Sequence, residues 1–174
     1  MKRSTNFKLA LLAATALTLT ACSEAKEEVL TYPTVNACIK AGVHGAATCE
    51  AEFSKAQGVH EKSAPRYANS RNCDAEFGYN RCYQQRTSSG SSVWLPFMMG
   101  YMLAPRIGSS VYTQPLYQTR GDPNRFYTSG GGRVGAATSD GRAKVAQSQT
   151  SRPQARTRTV SRGGFGARAT SSAS

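Results

Sequence analysis

Twice in this chain a tyrosine stands six residues ahead of a cysteine: Tyr32 before Cys38, and Tyr67 before Cys73, thirty-five positions apart. Two residues after each tyrosine comes a good helix N-cap, Thr34 in one copy and Asn69 in the other. A short helix would then hold the cysteine and end at Gly42 or Gly78, since glycine suits a left-handed C-cap. Each copy closes on a second cysteine, CIKAGVHGAATC over 38–49 and CDAEFGYNRC over 73–82. Four cysteines permit three pairings, and sequence alone does not choose among them. The repeat favours the local one, Cys38 with Cys49 and Cys73 with Cys82. Loops of this length contribute about 2.5 to 3 kcal/mol each in the chain-entropy account. A module over residues 32–86 is too small for a self-sufficient core, so the two links would matter.

Disulfides require an oxidising compartment, and the first residues supply the route to one. Lys2, Arg3 and Lys8 precede an apolar run from Leu9 to Leu19, which is too short to span a bilayer. Residues 1–21 therefore read as a secretory signal peptide. The stretch Leu19-Thr20-Ala21-Cys22 resembles the bacterial lipobox, whose cysteine becomes the acylated first residue of the mature chain. Cys22 is thus the expected lipid attachment site, because only a thiolate forms the required thioether. Each buried methylene contributes roughly 0.8 kcal/mol, so two or three acyl chains make a stable anchor. Ser23 replaces the aspartate that holds such lipoproteins in the inner membrane. The expected location is the cell envelope, anchored to the outer membrane and facing the periplasm, with surface exposure left open. Residues 22–31 would be a polar tether.

Charge is unevenly spread. The full chain carries a net +12, and removing residues 1–21 leaves +9. Residues 22–119 hold nine Lys/Arg against eight Asp/Glu, whereas residues 120–174 hold ten against two. A near-neutral front joined to a basic rear marks an interaction tail. From residue 106 onward Gly, Ser, Thr, Gln and Arg dominate, a composition that predicts disorder. Arg152, Arg156, Arg158, Arg162 and Arg168 are the candidate anion contacts. Such tails can bind RNA through phosphate neutralisation and stacking, but an extracytoplasmic lipoprotein does not ordinarily meet it. The location disfavours nucleic acid and points to lipopolysaccharide phosphates, anionic phospholipid headgroups or acidic glycan. Binding of that kind should weaken steeply with salt.

Between the cysteine pairs, Cys49, Phe53 and Ala56 fall at i, i+4 and i+7, one face of a helix. Glu52 and Lys55 sit at i, i+3 on its outer side. Gly58 weakens this helix and Pro65 limits it. Tyr32, Phe53, Tyr67 and Phe77 are core candidates. Residues 87–92 (TSSGSS) read as a linker. The apolar segment over 93–105 opens with VWLPFMMGYMLA, which Pro96 and Gly100 interrupt. It either packs on the module or touches a membrane surface or partner protein through Trp94, Phe97, Met98, Met99 and Tyr101. The expected fold is mainly α: a small disulfide-stapled helical module with a long disordered Gly/Ser/Arg-rich tail over 106–174.

A search for catalytic chemistry finds little. His44 and His60 have no metal-ligand spacing and read as solvated. Glu50 with Glu52, and Asp74 with Glu76, sit at i, i+2, which points them apart on a helix and suggests exposed charge. No serine occupies a nucleophile elbow. Gly130-Gly131-Gly132 lacks the strand and helix context of a phosphate loop. A non-enzymatic protein without cofactor or metal is the expectation.

The lipobox, SAPRYANSRNCDAEFG over 63–78, SSVWLPFMMGYML over 91–103 and TVSRGGFG over 159–166 together resemble the YgiB-like family of bacterial envelope lipoproteins. That family has no known function, so the resemblance implies no activity and no catalytic residues. Its members resemble envelope proteins encoded near glutathionylspermidine-synthase-like ATP-grasp enzymes and small membrane proteins, so the resemblance points to envelope maintenance or stress. The leading expectation is an interaction or scaffold role with an unidentified envelope protein. The alternative is a binding module whose basic tail takes an anionic lipid or polymer.

Overall fold

The stretch expected to be a tether runs through the middle of a sheet. Lys26–Tyr32 forms strand β1, and Val29, Leu30, Thr31 and Tyr32 along it are all buried. The structure, a computed structural model, describes residues 24–87, 89–106, 108–160 and Phe165. Cys22 lies outside the described residues, as do Arg162 and Arg168.

After β1 come helices α1 (Val35–Ala41), α2 (Ala46–Ser63) and α3 (Ser70–Phe77). Strands β2 (Cys82–Arg86), β3 (Ser92–Pro96), β4 (Gly100–Leu103), β5 (Gln114–Tyr117), β6 (Tyr127–Thr128) and β7 (Arg142–Ala146) follow, with a 3-10 turn at Gln147–Gln149. Five strands make an antiparallel sheet in the order β6-β5-β4-β1-β7, while β2 and β3 form a separate hairpin. In β1, Leu30 pairs with Leu103 of β4, and Glu28 pairs with Lys144 of β7.

Alternation along β1 divides the core, because successive side chains point to opposite faces. Val29 packs with Met102, Leu116, Val134 and Val145 on one face. Leu30 packs on the other with Tyr32, Tyr101 and Leu103, beneath Cys38, Cys49 and Ala56 of α1 and α2. A third cluster joins Tyr67, Cys73 and Phe77 to Leu95, Tyr117 and Phe165.

Local signals explain the short helices. The Thr34 hydroxyl accepts from the Ala37 N–H at 3.1 Å, and the Asn69 side chain accepts from the Asn72 N–H at 2.9 Å. Gly42 closes α1 in the left-handed region at φ +69°; Gly78 closes α3 at φ +106° but with an extended ψ. The disulfides are Cys38–Cys49, joining α1 to α2, and Cys73–Cys82, joining α3 to β2.

The mainly α expectation is overturned: the fold is mixed, and its sheets recruit the segment expected to be disordered. Residues 106–160 supply β5, β6, β7 and the 3-10 turn. Leu116, Tyr117, Val134 and Val145 there are at most 1% exposed. The strands there are short and partly polar in sequence: RAKVA of β7 buries only its second and fourth residues. Pairing of β5 with β4, and of β7 with β1 more than a hundred residues away, completes what local composition cannot signal. The apolar segment also splits: Pro96 to Met99 crosses from the hairpin to the sheet, leaving β3 and β4 in different layers.

Gly141 shows how tightly the late segment is fitted. It turns at φ +87° into β7, its carbonyl accepts from the Thr31 N–H at 2.8 Å, and a Cβ there would land inside the Tyr32 ring. Gly141→Ala is expected to destabilise by about 2 to 4 kcal/mol, combining left-handed strain with overpacking. Gly58 in α2 has nothing within 4 Å of its would-be Cβ. Gly58→Ala is expected to stabilise by about 0.5 to 1 kcal/mol instead. Urea midpoints of the two variants check the opposite signs.

Candidate functional site

The basic segment after the 3-10 turn does not leave the body of the protein. The Arg156 N–H donates to the Lys62 carbonyl at 2.8 Å, and the Val160 N–H donates to the Arg66 carbonyl at 2.6 Å. The Arg156 guanidinium donates to the Ser129 carbonyl at 2.7 Å. These bonds lay residues 150–160 as a strap beside the C-terminal end of α2. There the strap meets Lys55 and Lys62, which lie two turns apart on one helix face.

Tyr112 organises one end of the face. The Lys55 ammonium lies 5.1 Å from its ring centroid and the Arg152 guanidinium carbon 5.7 Å, both within cation–π range. A groove of about 420 Å³ opens between Lys55, Lys62, Tyr112 and Arg152. A second, of about 430 Å³, runs under the strap past Arg152 and Arg156 toward Gln114, Ser129 and Gln149. A third, of about 370 Å³, lies between Arg66, Arg86 and Arg156, against the β2–β3 turn. Six cations line these grooves, and no Asp or Glu among the described residues does. Two acids of α2 lie nearby: Glu52 is engaged by Lys55 at 3.5 Å and by the Thr113 hydroxyl, and Glu61 precedes Lys62 with its carbonyl accepting from Arg66. Cations gathered in concave walls of low dielectric raise the local concentration of anions.

The expected contacts divide. Arg152 and Arg156 line the grooves; Arg158 is exposed and lines none of the three. Sequence reasoning missed Lys55, Lys62, Arg66 and Arg86, although the i, i+7 spacing of the two lysines was visible. Of the apolar candidates, Tyr101 is fully buried, so it is a core residue and not a contact. Met98 packs on the helical core, Trp94 is half-buried against the hairpin core, and Met99 is half-buried. Phe97 alone of the five is exposed, at 47%, and it stacks on Tyr83.

Beneath the face lies a residue the sequence reading placed wrongly. His60 is 7% exposed, not solvated. Its Nδ1 lies 2.8 Å from the Tyr117 hydroxyl and its Nε2 2.9 Å from the Tyr83 hydroxyl. A neutral ring can donate from one nitrogen and accept at the other. Burial lowers its pKa to about 4 and raises those of Tyr117 and Tyr83. The polar chain continues through Ser129, hydrogen-bonded to Tyr117, to Ser63 at 3.0 Å. His44 is half-buried, and its Nε2–H donates to the Ala104 carbonyl at 2.9 Å. Among the described residues, no three His, Cys, Asp or Glu side chains gather as a metal site would require. No helix among them is long and apolar enough to cross a membrane.

The fold and its face thus define a disulfide-linked domain of mixed α and β structure with a basic, strap-built surface. The chain belongs to the family described as "Protein of unknown function (DUF1190)", whose profile matches residues 26–174. It is 31% identical over 175 residues to a UPF0441 protein of Erwinia tasmaniensis, covering 91% of this chain and 78% of that one. A UPF0441 protein of Klebsiella pneumoniae is 33% identical over 174 residues, covering 89% and 78%. The YgiB-like resemblance is consistent with this membership. No solved structure matches.

Proposed function

We propose that this protein is a non-enzymatic, lipid-anchored component of the bacterial envelope that binds phosphate-bearing lipid headgroups through its basic face. The observation that supports this reading best is the run of three grooves lined by six cations and, among the described residues, by no carboxylate. The lipobox-like stretch ending at Cys22 supports an envelope location. A chain tethered to a bilayer meets headgroups at high effective concentration, so modest affinity per site suffices.

The test uses the acylated full-length protein held in zwitterionic nanodiscs and titrated with short-chain phosphatidic acid below its micellar concentration. Binding is expected to weaken about tenfold or more between about 50 and 300 mM salt, because screening shortens the Debye length. Lys62→Gln with Arg152→Gln should weaken it similarly, while short-chain phosphatidylcholine should not bind. Binding indifferent to both salt and these substitutions overturns the reading.

A further inference from the structure

The third groove differs from the other two in its chemistry. Arg66, Arg86 and Arg156 are joined there by Thr87, Ser89 and Thr157, and by the Gln85 amide. Three guanidiniums suit a phosphomonoester, since a planar fork of N–H donors matches its oxygens two at a time. Three guanidiniums with hydroxyls alone would describe a plain oxyanion site. Gln85 adds something an oxyanion does not need: its Oε1 accepts, and a phosphate oxygen at neutral pH has little to donate.

A second observation points the same way. Three buried side-chain polar atoms among the described residues have no hydrogen-bond partner, and two of them belong to this groove: Arg66 Nε and Gln85 Oε1. One is a donor and the other an acceptor. The Arg66 fork is already oriented, because its Nη2 donates to the Glu61 carbonyl at 2.9 Å. A buried polar atom without a partner is unfavourable, and such sites call for a ligand, an ion or a water. Both side chains line the groove, where a bound ligand would be the missing partner. The donor then meets a phosphate oxygen and the acceptor meets a ligand hydroxyl.

We infer that this groove is a subsite for a phosphorylated saccharide, the guanidiniums taking the phosphate and Gln85 with Thr87, Ser89 and Thr157 taking the sugar hydroxyls. The inference rests on the headgroup reading above and names the headgroup. Its test uses glucose 1-phosphate, glucose and inorganic phosphate as probes on the full chain in zwitterionic nanodiscs, followed by amide chemical shifts. Glucose 1-phosphate is expected to bind about tenfold more tightly than inorganic phosphate, with shifts at Thr87, Ser89 and Thr157, while glucose alone does not bind. Arg86→Gln, an exposed position on β2, should weaken glucose 1-phosphate about tenfold or more. Lys62→Gln with Arg152→Gln should leave glucose 1-phosphate unchanged while weakening phosphatidic acid. Equal binding of inorganic phosphate, or indifference to Arg86→Gln, overturns the subsite without touching the headgroup reading. Failure of the parent protein to bind phosphatidic acid while it binds glucose 1-phosphate would do the reverse.

Discussion

Reduction of both disulfides is expected to remove about a third or more of the domain's stability. The links close loops of 11 and 9 residues in sequence separation. Each contributes about 2.5 to 3 kcal/mol in the chain-entropy account, so together they contribute about 5. Domains of this size have total stabilities of about 5 to 15 kcal/mol. The two links sit in different hydrophobic clusters, Cys38 and Cys49 under the large sheet and Cys73 beside Phe77 and Leu95. Their contributions should therefore add, as those of distant sites do. The loss should fall hardest on the β2–β3 hairpin, because a two-stranded ribbon is marginal alone and Cys73–Cys82 is its covalent tie to α3. Urea titration with and without reductant, and of the Cys38→Ala/Cys49→Ala and Cys73→Ala/Cys82→Ala variants, reads the three values. An unchanged midpoint after full reduction would remove the links from the account of stability.

What could be read in advance follows physical range. The caps at Thr34 and Asn69, the glycine ends at Gly42 and Gly78, and the disulfide pairing are all local, decided within a dozen residues. Strand β1 was misread because KEEVLTY carries three charges in its first three positions, which look solvated. Those charges lie at the start of β1, beyond its pairing with β4, and Arg142 of β7 meets Glu28 at 2.7 Å. The buried half, Val29 to Tyr32, has meaning only with β4 and β7 on either side. The same limit hid the basic face. Arg152 and Arg156 were visible as cations, but their meeting with Lys62 and Arg66 depends on strap bonds across some ninety residues. Composition flagged the charge and could not place it.

His60 is the case where a local signal existed and pointed the right way. Cys49, Phe53 and Ala56 define the inward face of α2, and the same stripe continues to His60 and Ser63. Extending that face predicts a buried histidine, and its burial has a consequence in pH. The folded protein holds the ring neutral down to about pH 4, while the unfolded chain takes a proton at about 6.5. Hydrogen bonding does not cause the depression, since the Tyr83 and Tyr117 hydroxyls could both accept from a protonated ring; loss of water does. Between the two pKa values the unfolded state binds more protons, so stability falls as pH is lowered through that window. The expected loss is about 3 kcal/mol, complete near pH 4 and fully recovered above about 6.5. Glu24 and Asp140 also have lowered pKa values, but the ordinary carboxylate values of 4.5 and 3.8 confine their effect to the acid end. His60→Gln keeps a donor and an acceptor for the two tyrosines and removes the titration. Its urea midpoint should be nearly flat from pH 6.5 to 5, where the parent protein loses stability. Equal slopes in the two proteins across that interval would mean that His60 is not the group responsible.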